Sequence, residues 1–113
     1  MRRQLGDDEE LITDLIALFL VDYPGRLQTL NAAFDARDAD AVGAVAHTLK
    51  GGVSSFCAGR AADAARVLEE LTSAEDFAAI GKQVERLVAE IEHLAAALRE
   101  LQAGQLAERA QNS

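Results

Sequence analysis

Apolar side chains recur at steps of three and four through most of this chain, the spacing that lines one face of an α-helix. The cleanest run is Phe77, Ile80, Val84, Leu87, Ile91, Leu94, Leu98 and Leu101, a coiled-coil-like seam. At 1.5 Å per residue it makes about 37 Å of helix. Four earlier segments show the same period. A short N-terminal helix is predicted to open near Asp7 or Asp8 and turn Leu11, Leu15, Leu18 and Phe19 inward, ending at Tyr23-Pro24, because the residue before a proline is pushed out of the α region. Pro24 then suits the first turn of a second helix carrying Leu27, Leu30 and Phe34 as far as about Ala36 or Arg37. Asp38 reads as the N-cap of a third, which runs to about Cys57 with Val42, Val45, Leu49, Val53 and Phe56 on its buried stripe. A fourth from about Arg60 to Leu71 packs Ala61, Ala64, Val67, Leu68 and Leu71, and Ser73 with Asp76 resembles an acidic capping box ahead of the seam.

No period-two alternation marks a strand. The pattern predicts an all-α fold, an antiparallel four-helix bundle with an additional short N-terminal helix. Residues 1–113 form one domain, with a helical core over about 8–102 and a polar C-terminal end, 103–113, that frays or serves as a linker.

Composition narrows the partners. A net charge of −8 disfavours nucleic acid and anionic membrane surfaces, which need clustered cations. No apolar run approaches the length of a membrane span, and Met1-Arg2-Arg3 is followed by acids rather than a signal-peptide core, so a cytoplasmic location is expected. The single cysteine, Cys57, can form no internal disulfide and reads as a small buried hydrophobe. No metal site is expected: His47 and His93 share no ligand spacing with each other or with Cys57, and His93 reads as a boundary or surface residue of the seam. There is no Walker or kinase-type phosphate loop and no nucleophile elbow, so the chain carries no means of drawing phosphate from ATP.

The candidate chemistry lies in Ala46-His47-Thr48-Leu49-Lys50-Gly51-Gly52. His47 stands two residues from Leu49, about 200° around the helix from the packing stripe. Gly43, Lys50, Gly51 and Ser54 lie at −4, +3, +4 and +7 from it and share its face. Two consecutive glycines inside a helix cost about 0.8–1 kcal/mol each relative to alanine. They serve either close helix packing or something that approaches from outside. A neutral imidazole nitrogen is a nucleophile toward phosphorus near neutral pH, and a lysine one turn away can balance the charge that a phosphoryl group adds.

The run Ala46 to Gly51 resembles the signature of the histidine-containing phosphotransfer (HPt) domain of phosphorelays. Glu10-Leu11, Leu18-Phe19-Leu20, Asp22, Pro24, Asp38, Asp40, Ala58, Leu68-Glu69 and Leu71 are similar to other parts of the family pattern, so the likeness covers about Asp8 to Leu101. Where the family often has glycine ten residues after the histidine, this chain has Cys57, with Gly59 two residues later. The resemblance implies a helical bundle and a phosphocarrier rather than an enzyme. His47 would accept a phosphoryl group from a receiver-domain aspartate and pass it to another receiver, with Lys50 as the phosphate-favouring cation and Gly51 beneath the docking partner. Gly43 and Ser54, on the same face, join the expected docking surface. The implied partners are receiver domains of response regulators or hybrid histidine kinases, which would contribute Mg²⁺; this chain would bind no cofactor and act as a monomer. The alternatives are a helical adaptor or antagonist that binds receivers without carrying phosphate, and the histidine domain of a larger sensor kinase; Met1 and the polar end favour a free-standing protein over the latter.

Overall fold

The computed structural model describes the backbone of residues 2–54, 56 and 59–112 and the side chains of 11–54, 56 and 59–104. Four helices account for nearly all of it: α1 (Arg2–Asp35), α2 (Ala39–Ser54), α3 (Gly59–Thr72) and α4 (Phe77–Asn112). Each helix packs against its neighbours in chain order and α4 closes back on α1, the arrangement of an up-down-up-down bundle. Cys57 and Ala58 lie outside the described residues.

The expected break at Tyr23-Pro24 does not occur. Pro24 sits inside α1, so the short N-terminal helix and the second predicted helix are one. A proline there removes the N–H that would reach the Leu20 carbonyl and costs about 3 kcal/mol. The cost is outweighed because Ile16, Tyr23, Leu27 and Leu30 keep one phase across it and are all buried, each large apolar side chain contributing about 1.5–3 kcal/mol. Tyr23 is also tied to α4, where the Arg99 guanidinium donates to its hydroxyl.

The inward face of α1 is corrected accordingly. Ile16 is buried, whereas Leu11 and Leu18 are 58% and 59% exposed. On α2 the expected Val42, Leu49 and Val53 are buried together with Ala39 and Ala46, while Val45 and, just past the helix end, Phe56 are half-buried; on α3 Ala61, Ala64 and Leu68 are buried together with Ala65, while Val67 and Leu71 are half-buried. Asp38 caps α2 through a bond from Ala41 N to its carboxylate, 3.1 Å. Asp76, rather than Ser73, caps α4, accepting from Ala79 N at 3.3 Å.

Burial along the seam of α4 runs from Ile80 through Val84, Leu87 and Ile91 to Leu98, with Ala95 buried in place of the expected Leu94, which is half-buried like Phe77, and Leu101 is half exposed. The helix nevertheless continues to Asn112, beyond the polar end expected from residue 103. At its other end, the α1–α2 and α3–α4 turns lie together, each using a left-handed non-glycine residue, Arg37 (φ 56°) and Glu75 (φ 55°). Arg37 stacks against Phe34 of α1 and Phe77 of α4, 5.2 and 5.3 Å from the ring centroids.

Candidate functional site

His47 stands in the middle of α2 with its side chain 71% exposed, on the side away from Leu49. Its Nδ1 lies 3.3 Å from Oε2 of Glu69, which reaches across from α3. Lys50, one turn further along α2, places its Nζ 2.9 Å from the other oxygen of the same carboxylate. Glu69 is the more sheltered member, and its pKa is held below the usual glutamate value, chiefly by the Lys50 contact and secondarily by His47, against a desolvation that pushes the other way.

That geometry assigns the imidazole its tautomer. An ionised carboxylate can only accept, so the contact requires a proton on Nδ1, and in the neutral imidazole the lone pair is then on Nε2. The exposure of the ring leaves that nitrogen accessible. Glu69 was not singled out as a site residue in the sequence, although Leu68-Glu69 contributes to the family likeness. Its role needs the pairing of α2 with α3, which spacing along one helix does not encode.

The remaining expected site residues divide into two kinds. Gly51 is exposed, and a Cβ built on it would meet nothing within 4 Å; the same is true of Gly52. Neither glycine is demanded by packing. Gly43 is different, because a Cβ there would lie 3.1 Å from Thr72 Oγ1, a hydroxyl committed to the Glu69 carbonyl at 2.6 Å. Its bareness lets α2 and α3 approach. Ser54 is exposed but donates its hydroxyl to the Lys50 carbonyl, 2.7 Å.

Beside the histidine face lies a groove of ≈ 280 Å³ between α1 and α2. Leu15, Leu18 and Phe19 form its apolar wall, Phe56 packs edge-on against Phe19, and Thr48, Leu49 and Gly52 form the α2 side. The outward turn of Leu18, which the sequence reading placed in the core, is what makes this wall. Gly51 thus borders His47 while Gly52 opens onto the groove. Among the described residues, no three His, Cys, Asp or Glu converge as a metal-ligand set. His93 is exposed on α4, in a cleft with Arg60 and Glu90.

A family model, that of the Hpt domain, matches residues 14–112. The chain belongs to the Hpt family. Among solved structures, the Hpt chain is similar to histidine-containing phosphotransfer protein B (HptB) from Pseudomonas aeruginosa PAO1, with a TM-score of 0.77 and 26% sequence identity over 91% of this chain and 93% of that one. No curated protein matches it. As an Hpt domain it has a histidine phosphotransfer role in two-component phosphorelay signalling, and such domains are phosphocarriers rather than kinases. Among the described residues, no helix is long and apolar enough to cross a membrane.

Proposed function

We propose that His47 Nε2 is the atom that carries the phosphoryl group, taken from the aspartyl phosphate of one receiver domain and given to the aspartate of another. The Nε2 lone pair attacks phosphorus, the P–O bond to the aspartate breaks, and the carboxylate leaves with the bonding pair. The product is a phosphoramidate whose Nδ1 keeps its proton. The ring is then cationic, and Glu69 supports that charge at 3.3 Å. The same charge makes the imidazole a good leaving group when the next aspartate attacks, so one contact serves both directions.

Lys50 lies on the same face, where its ammonium can follow the phosphoryl charge once it leaves Glu69. Mg²⁺ belongs to the receiver in this scheme, and positioning by the two docked surfaces supplies most of the catalysis. Gly51 and Ser54 line the approach to His47, and the apolar groove offers a seat for a receiver helix. Gly43 contributes indirectly, through the close packing of α2 on α3.

The observation that carries this reading is the exposed imidazole whose Nδ1 is engaged by a carboxylate. Its test is incubation of the chain with purified phosphorylated receivers. Label should appear in an acid-labile, base-stable linkage and be lost in His47→Gln with helicity unchanged. Label that persists in that variant, or that maps to His93, refutes the assignment; receiver binding with no label favours the adaptor.

A further inference from the structure

Resting on that reading, we propose that Arg26 is the cation with which this acidic chain engages the anionic face of a receiver, setting receiver affinity and choice without taking part in the transfer itself. A receiver that delivers an aspartyl phosphate presents a phosphoryl dianion together with the carboxylates that hold its metal. This chain carries a net charge of −8, so its long-range field opposes an anionic partner whose metal neutralises it only in part, and a cation at the contact offsets that repulsion.

The cation nearest the histidine is already engaged, Lys50 being held by Glu69. Arg66 is spent within α3 on Asp63 and Glu70. Arg37 and Arg99 lie over aromatic rings. Arg26 is exposed and makes no ion pair or hydrogen bond with any described residue.

Its position is specific. Arg26 lines the α1–α2 groove and also a smaller cleft of ≈ 170 Å³ against Ala44 and Val45, and the residues common to both are Arg26 and Thr48. Thr48 directly follows His47. The guanidinium therefore stands on the ridge between two depressions, beside the helix turn that carries the reactive ring. Asp22, one turn earlier in the groove, does not pair with it. Arg60, Lys82 and Arg86, on α3 and α4, line neither depression.

The experiment compares two phosphoryl donors on the full chain: purified receiver domains phosphorylated with acetyl phosphate, and phosphoramidate, a small molecule that needs no docking surface. Arg26→Ala should raise KM for receivers by about threefold to tenfold with kcat unchanged, as expected for a charge at an interface rim. Arg26→Glu should raise it further, Arg26→Lys should restore most of it, and the salt dependence of KM should flatten in Arg26→Ala. Phosphoramidate labelling of His47 should be equal in all four proteins. An unchanged KM in Arg26→Glu overturns the inference, as does a parallel fall in phosphoramidate labelling, which would place the effect on His47 or on the fold. If wild type takes label from phosphoramidate but from no receiver, the phosphocarrier reading fails first and this inference with it.

Discussion

Replacing Gly51 and Gly52 should make the protein more stable and the carrier less effective. Both glycines are inside α2, neither has a positive φ, and an added Cβ at either would meet nothing within 4 Å. The change to alanine therefore removes a backbone-entropy cost of about 0.8–1 kcal/mol per site with no steric penalty. The two positions point to different surfaces and share no partner, so the gains should add to about 1.5–2 kcal/mol. For a chain of this size that is a rise in Tm of roughly 5–8 °C, readable by thermal denaturation followed by circular dichroism. Transfer should respond in the opposite sense to bulk. Gly51→Gln projects a long side chain beside His47 and Gly52→Gln projects one into the groove, so each should slow transfer from phosphorylated receivers at unchanged or raised Tm. The reasoning is refuted at the structural level if either alanine variant is destabilised. It is refuted at the functional level if a folded Gly51→Gln transfers at the wild-type rate.

Glu69→Ala should slow receiver transfer about tenfold while lowering stability by less than about 1 kcal/mol, because its ion pairs are part-exposed. The pH dependence of that stability difference has a definite sign. The folded-state pKa of Glu69 lies below its ordinary value of 4.5, so the contribution is fully present above that pH and disappears as pH falls through the depressed value; denaturant melts of both proteins across this range check it. Lys50→Ala should also reduce transfer with a stability change near ±0.5 kcal/mol, and a normal rate would make the lysine mere solvated surface. Pro24→Ala should raise Tm by several degrees, since it restores a helical N–H and removes an interior proline; an unchanged or lower Tm would argue that α1 is broken there.

Much of the fold was legible because three of the four helices bury one stripe whose period is written in the chain. Asp38 could be read as a cap from its place ahead of Val42, and His47 from its angle to Leu49. The errors arose where a local rule met a distant contact. The Pro24 rule is correct as a local penalty, but burial of Tyr23 and Leu27 on either side overrides it. Leu11 and Leu18 look as core-like as Ile16 until the positions of α2 and α4 decide which face of α1 is covered. Glu69 and the groove required knowing which helices are neighbours. The site thus reads as one histidine in sequence and as a carboxylate-supported imidazole beside an apolar groove in structure.

The smallness of the residues where α2 meets α3 has a mechanical consequence. The buried positions of α3 are three alanines and one leucine, and Gly43 faces Thr72 with no side chain of its own. Alanine and glycine have no rotamers to change, so at these positions the spacing of the two helices cannot be altered by side-chain repacking. His47 and Glu69 sit on opposite sides of that joint. Widening it by even half an ångström would carry the 3.3 Å contact beyond hydrogen-bond range. Tolerance for the His47–Glu69 contact is thus set by atoms that carry no charge.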